Sequence, residues 1–137
     1  LGKTFLSACI ARSVSEQGRS VVYDTAGNIF AQFETRKFQR DAEGVQTALD
    51  ETRRYLTCDL LILDDLGSEF NSAFLISSLY SLLNNRLGAK LPTIVTTNIT
   101  DGALLEKLYT EKISSRLSAF VPCLFAGDDI RTQKAAE

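Results

Sequence analysis

The stretch Leu60-Leu61-Ile62-Leu63-Asp64-Asp65-Leu66-Gly67 constrains the chain more than any other. Four large apolar residues run without a polar break, two carboxylates follow side by side, and a glycine closes the run. Alternation would indicate a strand with one wet face. An unbroken run indicates a strand buried on both faces, as in a parallel sheet covered by helices. Burying each such side chain is worth roughly 1.5–3 kcal/mol, and two unpaired carboxylates cannot be buried beside them. The acids are therefore expected where the strand leaves the core, at its carboxyl end. Open α/β sheets bind ligands at that edge. Two acids placed there call for a cation, and a metal-bound phosphate would balance the charge.

The flanking patterns fit helices laid over such a sheet. Residues Phe5 to Ala11 open a helix with Leu6, Cys9, Ile10 and Val14 on one face, and Gly18 is a suitable C-terminal cap. Ser20-Val21-Val22-Tyr23 reads as a short strand. Ala26 to about Phe38 reads as a helix with Ile29, Phe30 and Phe33 inward. Asp41 to Gly44 reads as a loop, and Val45, Leu49 and Leu56 as a second, polar-rich helix. After Gly67, the series Phe70, Phe74, Leu75, Leu79, Leu82, Leu83 and Leu87 is the clearest amphipathic helix, ended by Gly88 and Pro92.

Thr93 to Thr97 is β-branched throughout and reads as another buried strand, with Asn98 at its end. Leu104, Leu105 and Leu108 predict a short helix. Thr110 is placed to cap a following one, whose inward face is Ile113, Leu117 and Phe120. Pro122 to Ala126 reads as a last strand and Gly127 to Arg131 as a turn. Strands alternating with helices predict a parallel α/β sheet with right-handed crossovers.

A length of 137 residues fits one domain, and no apolar run approaches the ~20 residues of a membrane span. With no signal-peptide pattern, a cytoplasmic location is expected. The three cysteines, Cys9, Cys58 and Cys123, have no metal-ligand spacing and are expected as buried thiols. The net charge of −2 gives no global positive field, so any nucleic-acid contact must come from a local patch or from assembled subunits. The chain contains no Met and opens inside a motif, so it is expected to be a fragment of a longer protein.

That motif is Gly2-Lys3-Thr4 at a helix start, which matches the end of a P-loop, or Walker A motif. Glycine lets backbone N–H groups approach a phosphate, and the helix N-terminus adds a favourable dipole. Lys3 can reach the outer phosphates, and the Thr4 hydroxyl can ligate Mg²⁺. A lone Gly-Lys-Thr triplet is equally well an ordinary helix start. The buried strand ending in Asp64-Asp65 is what raises it, because that strand matches a Walker B motif. Asp64 would then hold the Mg²⁺ shell and Asp65 would polarise the attacking water. Asn98 can orient that water or serve as a plain turn residue. Arg116 and Arg131 suit either surface charge or phosphate contact. Arg36, Lys37 and Arg40, interleaved with Phe38, suit either a solvated helix face or contact with single-stranded DNA.

Taken in order, Leu1 to Ser7, Ser20 to Tyr23, Leu60 to Gly67, Thr96-Thr97-Asn98, Ser114 to Leu117 and Gly127 to Arg131 resemble the AAA+ ATPases of the DnaC/DnaI helicase-loader group. That branch often carries Asp-Asp where many AAA+ proteins carry Asp-Glu, and Asp64-Asp65 matches it. The resemblance implies a P-loop NTPase fold of AAA+ type, with sheet order 5-1-4-3-2 and its first strand outside this sequence. It implies that residues 1–137 are one AAA+ ATPase domain that starts within Walker A.

It also implies site roles. Leu1, Gly2, Lys3, Thr4 and Phe5 would bind ATP, and Thr4 and Asp64 would hold Mg²⁺. Asp65 would be the catalytic acid, Asn98 sensor 1, Arg116 the arginine finger and Arg131 sensor 2. The implied partners are a replicative DnaB-type helicase, single-stranded DNA and further copies of the chain. Two other readings share the core: an IstB-like transposition helper ATPase, and a nucleotide-binding scaffold with little turnover. The scaffold follows if Asp65, one methylene shorter than Glu, activates water poorly.

Overall fold

A computed structural model describes residues 2–38, 42–67 and 72–126. The elements, in order, are α1 (Lys3–Glu16), β1 (Val21–Thr25), α2 (Ala26–Phe38), α3 (Ala42–Thr57), β2 (Leu60–Leu66), α4 (Ala73–Gly88), β3 (Thr93–Thr97) and α5 (Gly102–Leu117). The three strands form one parallel sheet in the order β1-β2-β3. This is the contiguous 2-3-4 portion of the expected 5-1-4-3-2 sheet.

The apolar run does what its lack of alternation predicts. Leu61, Ile62 and Leu63 are fully buried in the central strand, and Leu60 nearly so. Leu61 and Leu63 join one core cluster with Ile29 and Phe30 of α2, Tyr55 of α3, Leu79, Leu82 and Leu83 of α4, and Tyr109 and Ile113 of α5. Side chains alternate along a strand, so Leu60 and Ile62 turn to the other face, where α1 crosses all three strands.

The carboxyl end of β2 breaks this alternation. Leu63 pairs with Val95 and Leu66 with Thr97, so Asp64 and Asp65 together stand opposite Thr96. Two residues facing one is a β-bulge. Strict alternation would send Asp65 into the core beside Leu61 and Leu63. The bulge sends Leu66 there instead, 1% exposed and in the same cluster, and leaves Asp65 exposed at φ 61°.

A second buried polar network closes the opposite end of the sheet. Arg86 of α4 is 1% exposed. Its guanidinium donates to Thr93 Oγ1 at 2.8 Å and to the carbonyls of Tyr55 and Pro92 at 2.9 Å each, and lies 3.5 Å from Cys58 Sγ. One side chain thus ties the end of α3, the start of β3 and α4. The leucine pattern of α4 gives no hint of it.

The helix caps follow local chemistry. Ser72 accepts from the Leu75 N–H at the start of α4, and Asp101 from the Ala103 N–H at the start of α5. Thr110, at φ 79° and ψ 161°, interrupts α5. The expected pair of helices meeting at Thr110 is therefore present as two helical segments run together.

Four expectations are corrected. Residues 42–44 belong to α3 rather than a loop, with Glu43 in the first turn where the helix dipole favours an acid. The inward face of α1 is Ser7, Ile10, Ala11 and Val14, while Leu6 and Cys9 face out. Small Ser7, buried, lets the helix lie close to the sheet. Of the cysteines only Cys58 is buried; Cys9 and Cys123 are exposed. Residues 122–126 form no strand: Val121 and Leu124 are 87% and 80% exposed, and no described strand lies beside them to complete a ladder. Asp41 and Phe70 lie outside the described residues.

Candidate functional site

Three chain segments meet at the carboxyl edge of the sheet: the first turn of α1, the end of β2 and the end of β3. Gly2 precedes α1 at φ 76°, a left-handed conformation that glycine adopts without penalty. Among the described residues no side chain caps this helix, and no acid stands in its first turn. A helix start left without a side-chain cap suits an incoming anion.

The next two residues reach across the edge. Lys3 Nζ donates to Asn98 Oδ1 at 2.8 Å, and Thr4 Oγ1 donates to Asp64 Oδ2 at 3.4 Å. The expected grouping of Lys3, Thr4, Asp64 and Asn98 is thus one cluster, drawn from positions far apart in the chain.

Asp64 is only 7% exposed. A buried carboxylate needs donors, and Thr96 supplies the shorter bond, with Oγ1 2.5 Å from Asp64 Oδ1. Thr96 Oγ1 in turn accepts the backbone N–H of Asp65 at 2.8 Å. Tyr23, on β1, donates its hydroxyl to the Thr4 carbonyl at 3.4 Å. Burial pushes the Tyr23 phenol up from its ordinary value, and the nearby Asp64 charge pushes the same way, so it stays a protonated donor.

Behind the acids the backbone turns sharply. Gly67 has φ 109°, and a Cβ there would fall 2.7 Å from Ile99 Cδ1. Thr97 Oγ1 donates to the Leu66 carbonyl at 2.5 Å and accepts the Ile99 N–H at 3.1 Å. The exits from β2 and β3 are therefore fastened to each other.

The other expected residues lie apart from this cluster. Arg116 is exposed on α5, with its guanidinium 5.7 Å from the centre of the Tyr80 ring and 3.4 Å from the Tyr80 hydroxyl. The phenol of Tyr80 is lowered from its ordinary value by that hydrogen bond and by the arginine charge. Phe5 is 76% exposed. Arg36 and Lys37 line a groove of about 360 Å³ between α2 and α4, with Phe33, Phe74 and Ser77 among its walls. Lys37 Nζ sits 4.7 Å above the Phe74 ring. Leu1, Arg40 and Arg131 lie outside the described residues.

Thr96 and Tyr23 are the site residues that sequence reasoning missed. Thr96 sits two residues before Asn98, and that spacing on one strand was a usable signal. Its double contact depends on the bulge, which no local pattern announces.

The sequence profile of a family described as IstB-like ATP binding protein matches residues 1–117. No curated protein sequence matches the chain. Among solved structures, the DnaC helicase loader is similar over 86% of this chain and 68% of its own, at 22% identity and TM-score 0.67. Replication initiator DnaA bound to AMPPCP and single-stranded DNA is similar over 85% of this chain and 34% of its own, at 20% identity and TM-score 0.69. AMPPCP-bound DnaA from Aquifex aeolicus is similar over 86% and 35%, at 21% identity and TM-score 0.62. At these identities the likeness is one of fold, that of AAA+ P-loop ATPases. The chain spans about two thirds of the loader and about a third of the DnaA chains.

Proposed function

The chain belongs to the family of IstB-like ATP-binding proteins, and from that membership and the site geometry we propose that it is an ATP-hydrolysing AAA+ domain that loads a replicative DnaB-type helicase onto single-stranded DNA. The observation that carries the reading is the convergence of Lys3 and Thr4 on Asn98 and Asp64 at one sheet edge. A cationic ammonium, an uncapped helix start and a carboxylate–hydroxyl pair together suit a polyphosphate and its counter-ion.

In this reading Gly2, Lys3, Thr4 and Phe5 line the phosphate end of the site, with Leu1 just before them. Lys3 neutralises the outer phosphates, and the first-turn N–H groups orient them. Thr4 and Asp64 hold Mg²⁺. Their hard oxygen donors fit that ion. Among the described residues no group of three or more His, Cys, Asp or Glu could hold a metal. A cation here would complete its shell from phosphate and water, which is how Mg²⁺ is ordinarily bound. When bound, it offsets phosphate charge.

Asp65, exposed beside the buried Asp64, accepts a proton from water, and Asn98 orients that water. Arg116 acts on the site of a neighbouring copy, and Arg131 contacts phosphate within its own. Arg36 and Lys37, with Arg40, bind the backbone of single-stranded DNA along the α2–α4 groove, where Phe33 and Phe74 offer faces for stacking. The domain acts in the cytoplasm; no helix among the described residues is long and apolar enough to cross a membrane.

One other reading shares this IstB-like ATP-binding core, a transposition helper ATPase with a transposase as partner. Co-purification of the full-length protein with the replicative helicase of its host, with and without ATP, separates the two. Nucleotide-dependent capture of the helicase supports the loader. Capture of a transposase in its place supports the helper. ATP turnover that Lys3→Ala leaves intact would sink both.

A further inference from the structure

The bulge in β2 gives Thr96 a position that no other described residue shares: it stands opposite two acids at once. Its hydroxyl oxygen lies 2.5 Å from Asp64 Oδ1 and 2.8 Å from the Asp65 backbone nitrogen. The geometry assigns the directions. The Asp65 N–H can only donate, so it occupies one lone pair of the hydroxyl. The hydroxyl proton then points to Asp64, which as a carboxylate can only accept. Thr96 is 7% exposed, and its bond to Asp64 is buried away from bulk water.

We propose that Thr96 is a positioning residue for the nucleotide-bound cation and for the water-activating acid, acting through Asp64 and Asp65 respectively. The proposal rests on the ATPase reading above. By engaging Oδ1, Thr96 leaves Oδ2 as the oxygen that faces the Thr4 hydroxyl. The carboxylate cannot rotate without breaking the Thr96 bond, so the cation meets a preset ligand. By holding the Asp65 N–H, the same oxygen braces a residue at φ 61°, in the left-handed region that few residues other than glycine, asparagine and aspartate adopt. One hydroxyl therefore couples where the metal ligand points to where the neighbouring acid emerges.

The test compares Thr96→Val, Thr96→Ala and Thr96→Ser in the full-length protein. Valine keeps the shape and loses the hydroxyl, alanine loses the hydroxyl without risk of overpacking, and serine keeps it. Two quantities are read with a fluorescent ATP analogue: its affinity in excess chelator, and the Mg²⁺ concentration that half-maximally changes its binding. Steady-state turnover is read beside them. The expected result is chelator affinity within twofold of wild type in all three variants. The Mg²⁺ half-point rises at least tenfold in Thr96→Val and Thr96→Ala, kcat falls at least tenfold with little change in KM for ATP, and Thr96→Ser stays within about threefold on every measure.

If the folded Val or Ala variant keeps the wild-type Mg²⁺ half-point, the proposal is overturned. It is equally overturned if Ser behaves like Val, because the hydroxyl is then not the operative group. A wild-type protein that binds no nucleotide overturns the ATPase reading itself, and this proposal with it. A wild type that binds nucleotide and responds to Mg²⁺, alongside an unaltered Thr96→Val, overturns this proposal alone.

Discussion

Lys3 Nζ stands 2.8 Å from Asn98 Oδ1, joining the first residue of α1 to the residue just past β3. The contact is exposed, so its net worth to folding is small, about 0.5–1.5 kcal/mol at most. Its interest is chemical: a cation and a neutral amide face the same place. Asn98→Ala is expected to lower kcat about tenfold or more while changing ATP affinity little. Lys3→Ala is expected to weaken nucleotide binding itself. Direct nucleotide titration beside steady-state kinetics checks both. Equal loss of affinity in the two variants would remove the case for separate roles.

Asp65 combines a carboxylate with a left-handed backbone, and two substitutions separate these properties. Asparagine tolerates positive φ as aspartate does, whereas alanine does not. Asp65→Asn and Asp65→Ala are both expected to lower turnover about 100-fold or more. Only Asp65→Ala is expected to lower stability as well, by about 1 kcal/mol in urea denaturation. If the two variants lose the same stability, the backbone at this position is not under strain.

Arg116 lies on the Tyr80 ring of its own chain, with its guanidinium 3.4 Å from the Tyr80 hydroxyl. If it completes a neighbour's site, Arg116→Ala protein and Lys3→Ala protein are each inactive but restore partial turnover when mixed. In one of its two orientations a mixed interface then joins an intact lysine to an intact arginine, and in the other it lacks both. Activity in the mixture no higher than the sum of the two alone counts against a shared site.

Arg86 answers to stability rather than to catalysis. Arg86→Ala removes the buried donor to the Tyr55 carbonyl and one of the two described donors to the Pro92 carbonyl, leaves a cavity, and is expected to cost about 3–5 kcal/mol by chemical denaturation. Arg86→Lys should recover little, because one ammonium cannot match a planar fork aimed at Thr93, Tyr55 and Pro92 together. Recovery of most of the loss by lysine would mean that charge alone, not the fork, is required.

Asp59 makes stability depend on acid pH. Its Oδ2 accepts the Ser20 N–H at 2.9 Å, and its own N–H donates to Ser20 Oγ at 2.8 Å. The backbone bond from Ser20 and the bond from its side chain hold the carboxyl below its ordinary value of 3.8. A depressed folded-state pKa gives stability that is fully present above the unfolded value and lost as pH falls through the folded one. Denaturation followed from pH 5 downward should show a decline that Asp59→Asn lacks over that window. Parallel curves for the two proteins would show that Asp59 contributes nothing to it.

The parts of the fold readable beforehand are those written in local pattern. An unbroken apolar run located the central strand, and the leucine spacing located α4. Thr110 marked a break inside what otherwise reads as one long helical stretch. The grouping of Lys3, Thr4, Asp64 and Asn98 was also legible, because each ends or begins an element at the same edge of a parallel sheet. What escaped depends on neighbours far along the chain. Arg86 lies among leucines and is buried because three carbonyl and hydroxyl oxygens await it. Cys9 faces out because Ser7 claims the side against the sheet. Residues 122–126 have the composition of a strand, but composition does not supply a partner to pair with. Thr96 looked like one more β-branched strand residue until the bulge placed it opposite both acids.

The bulge also separates what the architecture needs from what the chemistry needs. With Asp65 taken out of the chain, Leu63, Asp64 and Leu66 would face Val95, Thr96 and Thr97 in unbroken step, and Leu66 would still reach the core. The Asp64-Asp65 pair is thus where a shorter β2 could omit one residue without shifting the ladder, and omitting Asp65 keeps the buried acid. A one-residue deletion at this point, ordinarily among the most damaging lesions a central strand can suffer, should here yield a folded protein that has lost only its exposed acid.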